Sequence, residues 1–161
     1  MNSADKRDII ADLYNKLVVY WHDVDFNWGK SAAQYYTEDA LFEVKNGSNP
    51  YRGRTEIGAF YAYREDRGAR VVVHAIHNFM CTFESDTRVA GAWICMIYAH
   101  DGEAPQISAP PIAISRIEDI YVLVEGEWLV ERRSWYPLFR GGERGTHASA
   151  EEIAKRVGTR G

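Results

Sequence analysis

A long run of β-branched and aromatic residues, from Val71 to Phe83, is the feature that most constrains this chain. This composition is typical of a β-strand. Because side chains alternate between the two faces of a strand, His74 and Asn78 are expected on one face and His77 on the other. Polar groups are costly to bury in such a strand unless they are hydrogen-bonded. They therefore predict either a polar core network or a functional site. The face of His74 is expected to carry Ile76, Asn78 and Met80.

Helical spacing of apolar residues predicts three helices in the first half of the chain, at residues 5–22, 30–36 and 55–67. Strand patterns joined by short turns are expected at 40–44, 70–84, 89–99, 112–124 and 128–136. Helices gathered early and strands gathered late favour an α+β fold with an antiparallel meander. We expect a cone-shaped, curved antiparallel sheet with three N-terminal helices enclosing an apolar pocket.

The length of the chain constrains its number of domains, and its charge constrains the partners it can bind. With 161 residues, 46% of them hydrophobic, it can bury the core of one domain. We expect this α+β barrel domain at 1–140 and a polar tail at 141–161, where a capping box at 149–152 predicts a short helix. The net charge of −4 and the lack of a Lys/Arg-rich block disfavour nucleic acid as a partner.

Targeting and metal signals are lacking in the sequence. No signal-peptide pattern opens it, and no apolar run approaches the ~20 residues that span a bilayer. Cys81 and Cys95 lie in apolar strand patterns without metal-type spacing, which predicts reduced core thiols. The histidines are scattered and form no HExxH motif. We therefore expect a cytoplasmic protein with no membrane partner, no metal and no cofactor.

Four short segments carry a family resemblance. The first helix ends near Asp25, and Tyr-Tyr-Thr-Glu-Asp-Ala-Leu-Phe follows at 35–42. Tyr-Arg-Gly-Arg-Thr-Glu-Ile opens the third helix at 51–57, the long strand carries His-x-x-x-Asn from residue 74, and a Glu-Gly-Glu-Trp hairpin at 125–128 enters the last strand. Over roughly residues 5–140 the chain resembles the nuclear transport factor 2-like, or SnoaL-like, superfamily. The resemblance implies the fold described above, whereas members of this fold include enzymes and non-enzymes.

Within this superfamily the chain most resembles the cofactor-free lyases that include scytalone dehydratase and hexachlorocyclohexane dehydrochlorinase. Those enzymes pair an Asp after the first helix with a His on the long strand, which implies Asp25 and His74 as a catalytic dyad. The dehydrochlorinase also has an Arg four residues after the hairpin Trp, which implies Arg132 after Trp128. Scytalone dehydratase has a Tyr directly before its Asp, where this chain has Val24. The substrate pockets of those two enzymes also differ strongly from each other, so neither substrate is carried over.

Proton abstraction is the chemistry that such residues support. A histidine titrates near neutral pH and is a natural general base, so His74 could remove an acidic C–H proton. Asp25 would fix its tautomer and stabilise the imidazolium. An inward-facing Arg132 would stabilise departing hydroxide, halide or an enolate oxygen. Together these roles predict a dehydratase or a related elimination enzyme.

Each catalytic residue has a rival in the sequence. Asp23 is the alternative carboxylate, and His77 is the alternative base. Arg133 would replace Arg132 if the strand register is shifted by one residue. Each group also has a purely structural interpretation, as a solvated helix end, a core histidine or a cross-strand ion pair.

Aromatic and apolar residues on the predicted inner faces are candidates for lining a substrate pocket, although core packing is an alternative for each. Such a lining favours an aromatic small-molecule substrate. The candidate substrate-binding residues are Trp21, Phe42, Asn78, Trp93, Cys95, Ile97 and Ile112.

Two other functions remain open on the sequence. One is a non-catalytic ligand-binding or assembly subunit resembling the small subunits of ring-hydroxylating dioxygenases, which share this fold. The other is a polyketide-cyclase-like isomerase, which also uses acid–base chemistry. On family grounds we expect a homo-oligomer, either a dimer or a trimer, with contacts on the outer sheet face and the C-terminal tail.

Overall fold

The structure is a computed structural model that describes residues 1–45 and 50–141, together with 155, 157 and 158. In this part of the chain, two α-helices accompany a curved six-stranded sheet, so the α+β prediction is confirmed. The helices are α1 (Ser3–Phe26) and α2 (Gly53–Asp66). The strands are β1 (Tyr36–Val44), β2 (Tyr51–Arg52), β3 (Arg70–Ser85), β4 (Arg88–Asp101), β5 (Ala113–Val124) and β6 (Glu127–Arg140).

The sheet order is β2-β1-β6-β5-β4-β3. The last four strands form the expected antiparallel meander. β1 pairs with β6 in parallel, so the sheet is mixed rather than purely antiparallel. This pairing joins the first strand of the chain to its last described strand.

The predicted second helix is reduced to one 3-10 turn, Ala32–Tyr35, so three N-terminal helices are not confirmed. The chain leaves α1 through Trp28 and Gly29, whose φ angles are +62° and +71°. β1 then begins at Tyr36, earlier than expected, because its aromatic and β-branched residues pair with the sheet. The segment between the end of α1 and the start of β1 is therefore too short for a longer helix.

Helix α1 is longer than its apolar pattern predicts. Its N-cap is Asn2, whose side chain accepts hydrogen bonds from the N–H groups of Ala4 and Asp5, while the Asp5 carboxylate accepts from the Asn2 N–H. This capping box satisfies N–H groups that the first turn would otherwise leave unpaired. At the other end the helix continues to Phe26 and includes Asp25 in its last turn. The buried face consists of Leu13, Leu17, Tyr20, Trp21 and Val24.

A β-bulge at Asn78 changes which side chains of β3 face inward. His77 pairs with Ile94 and Met80 with Ala92, so β3 contains one more residue than β4 between these pairs. Asn78 has a φ of +54°, and the alternation of faces shifts after it. The expected common face of His74, Asn78 and Met80 is therefore wrong. Asn78 is exposed, and Met80 is 59% exposed.

A second bulge, in β6, decides which arginine faces the core. Two adjacent residues of β5 pair with Val130 and Arg132, which makes Glu131 an extra residue. Val130 faces the core before the bulge, and Arg133 does so after it. The expectation of an inward-facing Arg132 is wrong, because Arg132 is exposed and Arg133 is 1% exposed. The one-residue shift considered from the sequence is the arrangement observed.

Parts of the predicted pattern lie outside the described residues, namely the turn at 46–49 and the capping box at 149–152 with most of the tail helix. β6 ends at Arg140, and the division into a domain and a tail stays a prediction. Within the described part of the chain, neither helix has the length and apolar character needed to cross a membrane.

Candidate functional site

The last turn of α1 places the Asp25 carboxylate against the first histidine of β3. Asp25 Oδ1 lies 2.5 Å from His74 Nδ1, and Oδ2 accepts a hydrogen bond of 2.8 Å from the His74 backbone N–H. The side chains of His74 and Asp25 are 3% and 5% exposed. Both carboxylate oxygens therefore bind the same residue away from bulk water, and this fixes the orientation of the imidazole.

This contact also sets the chemistry of the ring. A carboxylate accepts hydrogen bonds, so Nδ1 carries the proton and Nε2 presents a lone pair. Burial lowers the pKa of His74, the bond to Asp25 partly offsets this effect, and the charges of Arg64 and Arg70 lower the pKa further. At neutral pH the imidazole is therefore uncharged and able to accept a proton at Nε2.

Apolar groups surround the dyad. Trp21 stacks on the His74 ring with centroids 4.1 Å apart and an interplanar angle of 22°. Across the strand pair, Ile97 lies directly opposite His74, and Cys95 lies opposite Ile76; both β4 residues are buried. In such apolar surroundings the dielectric constant is low, so the electrostatic interactions of the base are stronger than they would be in water.

The cysteines are not arranged as nucleophiles. Burial raises the pKa of the Cys95 thiol, and burial raises that of Cys81 to about 11. Both therefore remain thiols at neutral pH, whereas the thiolate is the reactive form. Across the residues that the structure describes, no group of three His, Cys, Asp or Glu side chains is placed to hold a metal ion.

Three indole rings meet next to the dyad. Trp21, Trp93 and Trp135 lie with pairwise centroid distances of 5.9, 5.8 and 6.1 Å, and Phe42 lies 6.2 Å from Trp135. The predicted lining residues Trp21, Phe42 and Trp93 thus meet around a fourth ring that the sequence pattern did not indicate. Trp135 comes after the β6 bulge, and regular alternation from Trp128 would place it on the outer face.

Two of these indoles have an unpaired polar atom. Trp21 and Trp135 are 3% and 5% exposed, and neither Nε1 has a hydrogen-bond partner among the described residues. Trp93 differs, because its Nε1 donates to Asp119 Oδ2 at 2.9 Å. An unsatisfied buried donor costs about 1–3 kcal/mol, and folded proteins contain few of them.

A buried ion pair between Arg133 and Asp119 packs against this aromatic cluster. Arg133 Nε and Nη2 donate to the two oxygens of Asp119, each at 2.8 Å, and Arg133 Nη1 donates to Tyr36 Oη at 3.2 Å. Trp93 and Tyr121 add two donors to Asp119 Oδ2. Because every partner is buried and paired, Arg133 supports the walls of the site and is not free to meet a leaving group.

Tyrosine hydroxyls continue this polar network behind Trp21. Tyr20 Oη bonds to Tyr36 Oη at 3.0 Å and also to Tyr61 Oη. Burial raises the pKa of all three hydroxyls well above the ordinary value, so they remain protonated. Gly29 allows this packing, because a Cβ there would lie 2.6 Å from the Tyr61 ring.

The rival residues lie elsewhere. The Asp23 carboxylate accepts hydrogen bonds from Asn27 Nδ2 and from the Ser31 N–H, so it stabilises the turn after α1. His77 is exposed and lines, with Asn78 and residues of α1, an open groove of about 380 Å³ between α1 and β3. Asn78 is therefore separated from the other predicted lining residues.

The predicted lining residue Ile112 is partly buried against the core, and its N–H donates to the Ile97 carbonyl.

A curved sheet that encloses a buried Asp–His pair and a ring of indoles defines an α+β protein of the nuclear transport factor 2-like class. The SnoaL-like domain matches residues 2–134, and the chain therefore belongs to the SnoaL-like family. No curated protein matches the chain.

Solved structures with the same fold are similar over most of the chain. A putative scytalone dehydratase from Novosphingobium aromaticivorans has a TM-score of 0.72 and 17% identity, and the match covers 92% of this chain and 96% of that one. A putative aromatic ring hydroxylase from the same organism has a TM-score of 0.67 and 19% identity, with 86% and 93% covered. ActVI-ORFA from Streptomyces coelicolor has a TM-score of 0.68 and 18% identity, with 81% and 98% covered. At these identities the likeness shows the fold.

Proposed function

We propose that this protein is a cofactor-independent lyase that eliminates water, or a related leaving group, from a small molecule. His74 is the general base, and Asp25 orients and stabilises it. The observation that carries the proposal is the buried double contact of one carboxylate with the Nδ1 and the backbone N–H of His74. A positioned base of this kind contributes about 10²–10⁴-fold to a reaction rate.

In the proposed reaction His74 Nε2 takes a proton from an acidic carbon of the substrate. The electron pair of the broken C–H bond forms a new C=C bond, and the bond from the neighbouring carbon to a hydroxyl oxygen breaks. The departing hydroxide takes the proton from the imidazolium and leaves as water, which restores neutral His74. Asp25 stabilises the imidazolium between these two steps.

Aromatic small molecules are the proposed substrates. Trp21 stacks on His74 and contacts Trp93 and Trp135, with Phe42 behind Trp135, and flat rings pack favourably against such aromatic clusters. Two structurally similar proteins have names that refer to scytalone dehydration and to aromatic ring hydroxylation. These names support a choice of aromatic test compounds.

A polyketide-cyclase-like isomerase is the second candidate, and one observation favours it. Elimination benefits from a cation near the leaving group. Arg132 is exposed on the outer face, and Arg133 is fully engaged by Asp119 and Tyr36. Neither of these two arginines meets a leaving group beside His74, whereas an isomerisation needs the base and no leaving group.

A proton-exchange experiment with simple model compounds tests the proposal. Aromatic ketones with and without a β-hydroxyl group are incubated with the protein in D₂O, and NMR follows α-proton exchange and loss of the hydroxyl group. Loss of the hydroxyl group, with or without exchange in the remaining ketone, supports the lyase, and exchange without elimination supports the isomerase. Absence of both reactions across the set supports a non-catalytic assembly subunit.

Substitutions then link the activity to the dyad. Asp25→Asn and His74→Ala should each reduce the rate by about 10²–10⁴-fold, because one loses the orienting charge and the other the base. His77→Ala is the matched control, since it removes an exposed histidine of the same strand. Full activity in both dyad variants, with thermal unfolding showing that they are folded, rules out the dyad.

A further inference from the structure

We propose that the indole N–H groups of Trp21 and Trp135 bind an acceptor oxygen of the ligand, so that this site takes oxygenated aromatic compounds in preference to hydrocarbons. The inference rests on the proposed function, because it concerns the residues next to His74. It assigns a role to Trp135, and it gives Trp21 a polar role in addition to its stacking on His74.

The two unpaired donors are neighbours. Within the described residues, the buried side-chain nitrogen and oxygen atoms without a hydrogen-bond partner are Nε1 of Trp21 and Nε1 of Trp135. The two rings are in edge-to-face contact, with centroids 5.8 Å apart. A buried indole N–H normally finds an acceptor. Two unpaired donors in one cluster therefore indicate a place for an acceptor that the chain does not supply.

The position of these donors suits the chemistry of the dyad. Trp21 lies directly on the His74 ring, with centroids 4.1 Å apart. When a base removes a proton from the carbon next to a carbonyl group, negative charge develops on the carbonyl oxygen two bonds away. Donors that are already fixed beside the base can stabilise that charge without reorganising.

The ion pair beside this cluster is compensated internally and does not compete for the indole N–H groups of Trp21 and Trp135. The Arg133 guanidinium lies 5.8 Å from the Trp21 ring and 5.3 Å from the Trp93 ring. Asp119 is held by four hydrogen bonds, from Arg133, Trp93 and Tyr121, so its carboxylate is compensated. The neutral Cys95 thiol and the aliphatic side chain of Ile97 provide no competing strong acceptor on the β4 side.

NMR of the indole N–H groups tests this inference without any turnover. Acetophenone and ethylbenzene are similar in shape and differ in the carbonyl oxygen, and each is titrated into the ¹⁵N-labelled full chain. We expect acetophenone to move the Nε1–H resonances of both Trp21 and Trp135 downfield, and ethylbenzene to leave them without a downfield shift. Trp93 is the internal control, because its N–H is already bonded to Asp119.

Variants assign the resonances and provide a second readout. Trp135→Phe and Trp21→Phe each remove one donor and keep an aromatic ring. Each should weaken acetophenone binding by about 3- to 10-fold, as expected for one neutral hydrogen bond, and leave ethylbenzene binding nearly unchanged. If a variant does not fold, the comparison of acetophenone with ethylbenzene in the wild-type protein still tests the inference.

Three results would overturn the inference. Equal responses to the ketone and the hydrocarbon would show that ring packing causes the shift. No response up to the solubility limit would show that the ketone does not bind to these donors. A response of one indole alone would refute the role of the other. Because binding is measured, loss of this inference is distinguishable from loss of the dyad, which depends on the Asp25→Asn and His74→Ala rates.

Discussion

At the scale of single residues, the environment of His74 determines what the site can do. Burial favours the neutral imidazole, and Asp25 selects the tautomer with a free Nε2. The stacked indole of Trp21 holds the ring in place. A surface histidine would be partly protonated near neutral pH, whereas this one is available as a base over the whole neutral range.

The pH profile is the first prediction at this scale. Since burial lowers the pKa of His74, activity should rise with pH through a pKa below the usual value of about 6.5 and then reach a plateau. Arg64→Gln removes a positive charge that lowers this pKa, so the rise should move to higher pH. NMR titration of the His74 ring measures the same shift directly. Arg7→Gln, near the other end of α1, is the control, and an unchanged pKa in Arg64→Gln would contradict the prediction.

The two neighbouring arginines of β6 provide the second prediction. Asp119→Asn leaves the Arg133 charge buried without its counter-charge and should destabilise the fold by about 3–5 kcal/mol. Arg132→Ala removes an exposed side chain and should change the free energy of unfolding by about 0.5 kcal/mol or less. Urea denaturation measures both values. Similar effects of the two substitutions would contradict the inward assignment of Arg133.

At the scale of elements, the two bulges account for the errors of the sequence-based assignment. A period of two residues correctly places His74 and Ile76 on one face of β3 and His77 on the other, because no bulge precedes them in the strand. The same rule fails for Asn78, Arg132 and Trp135, which lie at or beyond a bulge. An extra residue in one strand depends on how its partner strand pairs, and a single sequence does not show this pairing.

Asn78 allows a test of this account. Its φ of +54° is tolerated by Asn and Gly and is unfavourable for other residues. Asn78→Ala should therefore destabilise the protein by about 1 kcal/mol, whereas Asn78→Gly should be nearly neutral. Thermal and urea unfolding compare the two. Both variants should keep the activity of the folded protein, and a large loss of activity in Asn78→Gly would restore Asn78 as a substrate-binding residue.

At the scale of the whole molecule, the site depends on contacts between distant parts of the chain. α1 supplies Asp25 and Trp21, β3 supplies His74, and β6 supplies Trp135. The apolar stripe of α1 and the meander are recognisable in the sequence, and the family motifs indicated the dyad. The parallel pairing of β1 with β6 and the meeting of Trp21 with Trp135 arise from the closure of the sheet, so local patterns gave no sign of them.

The last prediction links the site to the stability of the whole protein. The unfolded chain holds His74 in water with a pKa of about 6.5, whereas burial lowers the pKa in the folded protein. Between these two values the unfolded state binds more protons, so the stability that His74 contributes is present above pH 6.5 and is lost as the pH falls through the folded pKa. His74→Gln, which does not titrate, should show a smaller loss of unfolding free energy between neutral and mildly acidic pH. His77→Gln should behave like the wild type, because His77 is exposed. If the wild type and His74→Gln lose stability in parallel, the proton that destabilises the fold binds elsewhere.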